Sequence, residues 1–417
     1  MVRLRSFFII WTGQALSLLG SQLVQFALIW WLTKTTGSPT ILALASIAGM
    51  LPQVVLGPFA GVLVDRWSRR AVMLVADTTV ALITLVLGYL FWTGAAEIPY
   101  VFAVLFIRSV AGTFHWPAMQ ASTTLMVPEQ HLTRIQGMNQ ALNGGLNVFA
   151  APLGALLLEW IDVAGIIAVD VATALAAVIP LLLIAIPQPP QRVPAGRGVA
   201  AFKEELVEGI RYVRTRRALI TLLGLAVLIN LVLSPTFALL PILVTDHFGG
   251  EALQLATLQA ASSIGVIGGG LLLGLWGGFK RRIHTTIVGL YGIGIGVLLV
   301  GLTPATLLPL AIAATALTGL MMALTNGPIL AILQATVTPE MQGRVFMLVS
   351  SAASLMAPVG LLLAGPVAEV AGVRFWFITG GIVTVIVAIV ASLSPVLRSL
   401  EDGASPPVLV PSPVPAD

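Results

Sequence analysis

Twelve apolar segments, each long enough to cross a membrane, follow one another along this chain of 417 residues. A helix of about 20 apolar residues spans the ~30 Å hydrocarbon core of a bilayer. Helices suit that medium because each one satisfies its own backbone polar groups. The pattern predicts an all-α membrane protein with twelve transmembrane helices over 7–33, 40–64, 71–93, 97–120, 136–160, 164–187, 218–245, 253–279, 284–303, 306–333, 344–369 and 373–397.

Positive charge is concentrated on alternate connections between these segments. Of the 21 Lys and Arg residues, only Lys34 and Arg374 fall on the other connections, and Arg108 falls inside a segment. Cationic loops stay cytoplasmic during insertion, so we expect a multi-pass protein of the cell inner membrane with both termini in the cytoplasm. The same loops match the anionic headgroups of the bilayer, so the basic balance does not indicate a nucleic-acid partner.

Charged residues make up 9% of the chain, whereas soluble domains carry about a quarter. No phosphate-binding loop, metal-ligand cluster or catalytic constellation is visible, and the chain has no cysteine. We therefore expect a transporter rather than an enzyme, with no cofactor and no metal. An ion gradient or the solute itself must then supply the energy.

The two halves of the chain resemble each other. Pro117, Pro128-Glu129 and Arg134 are matched about 210 residues later by Pro328, Pro339-Glu340 and Arg344. The repeat predicts two pseudo-repeated six-helix bundles in the same orientation, with solute held between them. We assign residues 1–187 and 218–397 to the bundles, 188–217 to a cytoplasmic linker with an amphipathic helix, and 398–417 to a disordered cytoplasmic tail.

A compact motif joins the second and third segments. It contains Gly61, Asp65, Arg66, Arg69 and Arg70. Gly61 allows close helix packing, and Asp65 can pair with Arg69 while facing the positive N-terminal end of the eleventh helix. We expect this motif to hold the cytoplasmic side shut and to release it as the halves rock.

Few charged or titratable side chains lie inside the spans. Arg108 sits near the middle of the fourth span, where a charge needs a partner or water. His115 lies on the same helical face and titrates near neutral pH. His115 and Asp170 are candidates for proton coupling, although structural roles remain open for both, and Arg108 is either functional or a structural charge bound to carbonyls or an acid. A structural role stays open for Asp77, in the third span, as it does for Asp170, in the sixth, because both of these spans are expected at the periphery.

Neutral polar residues form stripes on the first and fifth helices. Amides in hydrocarbon must face one another or water, so the stripes predict a wide cavity for a polar but largely uncharged molecule. The alternative is hydrogen bonding between helices. The predicted cavity residues are Gln14, Ser21, Gln25, Arg108, Gln140, Asn143, Asn147, Asn230, Met322 and Thr325.

Several of these segments resemble the macrolide-efflux branch of the major facilitator superfamily. They are Trp11 to Ser17, Lys34 to Ser38, Gly57 to Arg70, Leu105 to Ser109 with Phe114 to Ala118, and Gly343 to Phe346. The motif departs from the family pattern at Ser68, where the family often has Gly. The fifth helix carries a weakened antiporter motif at Ala151-Pro152-Leu153-Gly154.

The resemblance implies a monomeric, proton-driven exporter of an amphiphilic, macrolide-type antibiotic that works by alternating access. It also implies that the Asp65 motif gates the transporter and that Arg108 takes part in proton coupling. Relatives on the same fold import solutes, export siderophores or flip lysolipids. A membrane scaffold or sensor that transports nothing is the alternative from another class.

Overall fold

The computed structural model of the chain describes residues 2–187, 207–208 and 210–398. Twelve helices in this part of the chain are long and apolar enough to cross a membrane. The predicted fold class is confirmed. The helices are α1 Val2–Thr36, α2 Pro39–Arg66, α3 Arg69–Trp92, α4 Ile98–Met126, α5 Glu129–Trp160, α6 Val163–Leu183, α7 Arg217–Ala238, α8 Ala252–Trp276, α9 Arg282–Leu302, α10 Leu308–Thr336, α11 Pro339–Ala371 and α12 Val373–Leu393.

The helices pack as two similar groups. In the first, α1 packs on α5 and α6, α2 on α4, and α3 on α4 and α6. Every one of these pairs recurs six helices later, as α7 with α11 and α12, α8 with α10, and α9 with α10 and α12. The two groups meet along α2 with α11 and along α5 with α8. This repetition is the structural counterpart of the repeat in the sequence.

Consecutive helices alternate in direction, so their connections lie at two faces. We call the face with connections 67–68, 127–128, 277–281 and 337–338 the basic face, and the other the opposite face. Serine at position 68, where the family often has Gly, has a structural role. Its side chain accepts a hydrogen bond from Ala71 N and caps α3.

Helix boundaries differ from the sequence prediction mainly at three places. Residues 129 and 339 already belong to α5 and α11, because each Pro-Glu pair starts a helix outside the apolar run. The predicted seventh span, 218–245, is not one helix. Its α-helix ends at Ala238, and a short turn, Leu240–Ile242, and a π-helical turn, Leu243–His247, follow. Pro241 has no N–H to continue the helical ladder there.

Part of the predicted linker and tail lies outside the described residues, namely 188–206, 209 and 399–417. Residues 207–208 and 210–214, which lie within the predicted linker, are helical. Glu208 in this segment pairs with Arg344 of α11 at 2.8 Å. The linker is thereby tied to the second group of helices.

Candidate functional site

A cavity of about 290 Å³ lies within the first group of helices. Its walls come mainly from α1, α3 and α4, with small contributions from α2 and α6. Gln14, Ser21 and Gln25 line it, as the polar stripe on the first helix predicts. Three chargeable side chains join them: Asp77, Arg108 and His115.

Arg108 and Asp170 form a buried ion pair beside this cavity. Arg108 Nη1 lies 2.7 Å from Asp170 Oδ2 and also donates to Thr84 Oγ1 at 2.8 Å. Arg108 Nη2 donates to the carbonyl oxygen of Ser21 at 3.2 Å. The side chain of Arg108 is 10% exposed and that of Asp170 2%. One guanidinium thus connects α1, α3, α4 and α6.

The position of Asp170 follows from a close approach of two helices. A Cβ atom added to Gly20 of α1 would lie 2.9 Å from Asp170 Oδ1 and would overlap Thr173 Oγ1. The missing side chain lets α6 press against α1, and Asp170 then points inward rather than to lipid. Two residues predicted separately as proton-coupling candidates are therefore partners.

A second polar cluster lies about two helical turns from Arg108 along α4. Gln14 Nε2 donates to Asp77 Oδ2 at 2.7 Å. His115 Nε2 lies 3.2 Å from Asp77 Oδ1, but it makes no aligned hydrogen bond within the described residues. The structure places Asp77 on the cavity wall and not at the periphery where the third span was expected, and a structural role for this residue stays open. Asp77 reaches the cavity because α3 packs between α4 and α6, a position that the sequence does not reveal.

A larger cavity, of about 510 Å³, lies between the two groups of helices. Its polar lining is neutral and comes from α2, α7 and α11. Asn230 is there as predicted. The predicted cavity residues do not include the other polar groups, although three serines stand close together in the apolar middle of α11. These groups are Gln53, Ser234, Ser350, Ser351 and Ser354.

The remaining predicted cavity residues are scattered. Asn143 lines a small cavity next to the charged one, and Gln140 is exposed. The main-chain oxygen of Asn147 accepts a hydrogen bond from Ser263 Oγ of α8. Met322 packs against the central apolar core.

Thr325 is also away from the cavities. Its hydroxyl bonds to the Met321 carbonyl oxygen within α10, and an added Cβ on Gly289 of α9 would overlap it. The structure thus places Thr325 in a helix contact.

The Asp65 motif is only partly described. The side chains of Asp65 and Arg66 lie outside the described part of the chain. Arg69 is buried, and Arg70 donates to the carbonyl oxygens of Leu181 and Leu182 at 2.6 and 2.7 Å. Arg70 is therefore bound to the C-terminal end of α6, where a cation suits the helix dipole.

Among the described atoms, α2 and α11 pack less closely near the basic face than near the opposite face. Among the described atoms, a Cβ added to Gly61 of α2 or to Gly343 of α11 meets nothing within 4 Å. No atom of the described residues therefore packs against Gly61. Near the opposite face, by contrast, a Cβ added to Gly365 of α11 would lie 3.0 Å from Thr40 Cα of α2. The space between the groups widens toward the basic face.

Polar contacts across the groups close the opposite face. Lys34 Nζ at the end of α1 lies 2.8 Å from Glu251 Oε1 at the start of α8. Glu369 near the end of α11 accepts hydrogen bonds from Ser38 Oγ at 3.0 Å and from Thr40 N at 3.2 Å. Together these contacts join both sides of the molecule at one end of the central space.

Twelve membrane-length helices in two repeated groups, with a polar cavity between them, define a multi-pass membrane transporter. The family model of the Major Facilitator Superfamily matches residues 10–278 and 236–410. The chain belongs to this superfamily.

Similarity to individual transporters supports this assignment. The chain is 35% identical to macrolide efflux protein A of Streptococcus pyogenes over 95% of this chain and 97% of that protein. It is also 35% identical to macrolide efflux protein A of Enterococcus faecalis over 78% of this chain and 100% of that protein. A solved bacterial homolog of the human lysosomal transporter Spinster, inward-facing and unoccupied, shares the fold with a TM-score of 0.73 at 15% identity, covering 97% of this chain and 99% of that one. The relatives are transporters, not enzymes.

Proposed function

We propose that this protein is a secondary active transporter that exports an amphiphilic, drug-like solute of the macrolide type in exchange for protons. The basic face is cytoplasmic, both termini lie inside the cell, and the protein acts as a monomer in the cell inner membrane. Residues 1–187 and 218–397 move as two bundles, joined by the 188–217 linker and followed by the 398–417 tail.

The observation that carries this proposal is the similarity to macrolide efflux protein A. It extends over 95% of this chain and 97% of that relative, so it includes both bundles and every span. A similarity restricted to a few helices would support the fold alone. The weakened antiporter motif around Pro152 agrees with export.

Alternating access is supported by the geometry of the central space. The opposite face is closed by the ion pair of Lys34 with Glu251 and by the hydrogen bonds of Glu369 in α11 to the start of α2. Toward the basic face, α2 and α11 diverge. With the basic face in the cytoplasm, this conformation is the one that loads solute from inside the cell. The cavity of about 510 Å³ supplies neutral hydroxyl and amide groups for a polar, mostly uncharged solute.

Proton coupling is assigned to the charged cavity in the first bundle. A buried charge away from water is expensive and is kept where it serves transport. Arg108 with Asp170 joins four helices, so a change in the protonation of Asp170 would alter the contacts of all four. His115 lines the same cavity and supplies an imidazole, which can accept a proton.

Drug susceptibility in an efflux-deficient bacterial host tests the function. Cells that express the protein should tolerate macrolides better than cells with an empty vector, and a protonophore should raise macrolide accumulation in the expressing cells. Equal susceptibility across macrolides and other amphiphilic drugs would contradict export. Export that persists unchanged with protonophore would contradict proton coupling.

A lysolipid flippase is the second candidate, because one observation favours it. An apolar groove of about 410 Å³ runs between α3 and α4 on the outer surface of the first bundle, where Val75 is 65% exposed. Ala76 and Ala111 line both this groove and the charged cavity. Movement of fluorescent lysolipid between leaflets of proteoliposomes would support a flippase, and an unchanged rate relative to protein-free liposomes would exclude it.

A further inference from the structure

An exposed indole ring lies on the inner side of α4. Trp116 is 48% exposed and lines the small cavity next to the charged one, together with Gln14 and His115. Each residue of a helix turns the chain by about 100°, so Trp116 points roughly 200° away from Phe114, which lines the groove on the outer surface of the bundle. The indole therefore faces the interior of the molecule and not the bilayer.

Three amide side chains near this ring have no hydrogen-bond partner within the described part of the chain. They are Gln120, one turn further along α4, and Gln140 and Asn143 on α5. Gln120 and Asn143 line the same small cavity as Trp116. By contrast, the neighbouring Asn139 accepts a hydrogen bond from Trp11 Nε1 at 2.7 Å. An amide inside a membrane protein needs a polar partner, so the unpaired amides are available to a solute or to water.

Two glycines leave room in front of this surface. Gly112 lies one turn before Trp116 on the same face of α4, and Gly144 follows Asn143 on α5. A Cβ atom added to either glycine would meet no described atom within 4 Å. The cavity itself encloses only about 40 Å³. It can therefore receive the edge of a ligand while the rest of the ligand lies across the exposed indole.

An aromatic face beside neutral amides has the chemistry that recognises a sugar ring. A pyranose has a face of C–H bonds, which packs on the electron-rich face of an indole. Its hydroxyl groups both donate and accept hydrogen bonds, and an amide offers donors and an acceptor in one group. A purely aromatic or apolar ligand would also pack on Trp116, but it would leave the amides unpaired, which is costly in a site without water.

We propose that Trp116, Gln120 and Asn143 form a subsite that binds the sugar ring of a glycosylated amphiphile. The inference rests on the proposed export function and names its substrate class, a solute with a sugar attached to an apolar body. Trp116 stacks on the ring, and the two amides bind its hydroxyl groups. Met119 and Leu142 line the same cavity and offer apolar contact to the body of the solute.

Binding of a simple alkyl glycoside tests the proposal without relying on export. The probe is octyl β-D-glucopyranoside below its critical micelle concentration. Its control is octyl triethylene glycol ether, which has the same chain and a neutral head without a ring. The purified full-length protein is kept in a polyoxyethylene detergent, because glucoside and maltoside detergents would occupy the site.

Equilibrium dialysis measures the binding of both amphiphiles, after subtraction of their partitioning into protein-free micelles. The glucoside should bind saturably, because the ring packs on Trp116 and its hydroxyl groups pair with the amides. The ether should bind at least about tenfold more weakly, since it offers neither a C–H face nor hydroxyl groups of a ring.

Variants of Trp116 and Asn143 assign the binding to residues. Trp116→Leu removes the aromatic face and should weaken glucoside binding at least about tenfold, whereas Trp116→Phe keeps an aromatic ring and should stay within about threefold of the unchanged protein. Asn143→Leu removes one amide and should weaken binding about 2- to 10-fold. Trp160→Leu is the matched control, since Trp160 is 79% exposed at the other end of α5.

Three results would overturn the proposal: no saturable binding of the glucoside to the unchanged protein, equal binding of the ether, or equal binding by Trp116→Leu and Trp160→Leu. Macrolide resistance of cells that express the unchanged protein separates these results from the export function. Resistance without glucoside binding would leave export standing and remove the sugar subsite. Glucoside binding that depends on Trp116, in a protein that confers no resistance, would support the subsite and contradict macrolide export.

Discussion

Glu369 of α11 caps the N-terminus of α2, a helix of the other bundle. Its carboxylate accepts hydrogen bonds from Ser38 Oγ at 3.0 Å and from Thr40 N at 3.2 Å. The first N–H groups of a helix lack partners within the helix, and an anion there also suits the helix dipole. At the basic face, the sequence predicts the mirror arrangement, in which Asp65 of α2 faces the N-terminus of α11. In that prediction each of the two helices carries an acid for the start of the other, and the contact of Glu369 is the one that the described residues contain.

Replacing Glu369 by Ala should loosen the closed opposite face. A lost cap costs about 0.5–2 kcal/mol, so the population open at that face should rise roughly 2- to 30-fold. Because the chain has no cysteine, a single Ala43→Cys on α2, which is buried beside Gly365, reports opening through labelling by a membrane-impermeant maleimide. Glu159→Ala removes an exposed acid at the same face as a control. Labelling that Glu369→Ala leaves at the level of that control would show that Glu369 does not hold the face closed.

Helix contact in the second bundle depends on glycines that leave no room for a side chain. A Cβ on Gly319 of α10 would overlap the carbonyl oxygen of Ser262 in α8, and a Cβ on Gly265 of α8 would overlap that of Ala316. We expect Gly319→Ala to destabilise the protein by about 1–3 kcal/mol and to lower its unfolding temperature in detergent.

Gly268→Ala is the matched control for this contact. Gly268 lies on α8, the partner helix of this contact, but a Cβ there meets no described atom within 4 Å. The change should be neutral or slightly stabilising, because Ala is favoured over Gly in helices by about 0.5–1 kcal/mol. Equal unfolding temperatures for Gly319→Ala and Gly268→Ala would contradict the packing argument.

Much of the fold could be predicted from sequence because the bilayer imposes it. Segment length reflects the thickness of the bilayer, and loop charge reflects how the chain inserts. The repeat at Pro117 and Pro328 reflects two similar halves. Each of these features can be recognised along the chain without knowing which helices meet. The prediction of a single helix over 218–245 is wrong for a local reason. Hydropathy marks the apolar run but does not show that the helical hydrogen bonds are interrupted at Pro241.

The candidate site was less predictable because it depends on which helices meet. Arg108 and Asp170 stand out as charges in apolar spans, but their pairing depends on the approach of α6 to α1 at Gly20. Asp77 carries the same signal, but sequence alone does not show that α3 brings it to the cavity wall. Ser350, Ser351 and Ser354 could have been found by applying to α11 the stripe argument used for the first helix.

The inter-bundle cavity should contribute to solute affinity through many modest contacts. Removing one hydrogen bond costs about 0.5–1.5 kcal/mol, so Ser354→Ala should raise the apparent KM for macrolide transport about 2- to 10-fold with little change in the maximal rate. Ser46→Ala is a control on α2, because Ser46 bonds to the Leu42 carbonyl oxygen within its own helix. The same KM for both variants in inverted vesicles would argue against a solute contact at Ser354.

The pair of Arg108 and Asp170 allows stability and transport to be separated. Arg108→Ala leaves Asp170, which is 2% exposed, without its cation, and removing one partner of a buried pair costs about 3–5 kcal/mol. We expect the variant to insert into the membrane, to unfold at lower temperature and to lose macrolide flux. Adding Asp170→Asn removes the unpaired charge and should restore the unfolding temperature. If the pair takes part in coupling, flux stays lost in the double variant; flux that returns together with stability would show that the pair is structural only.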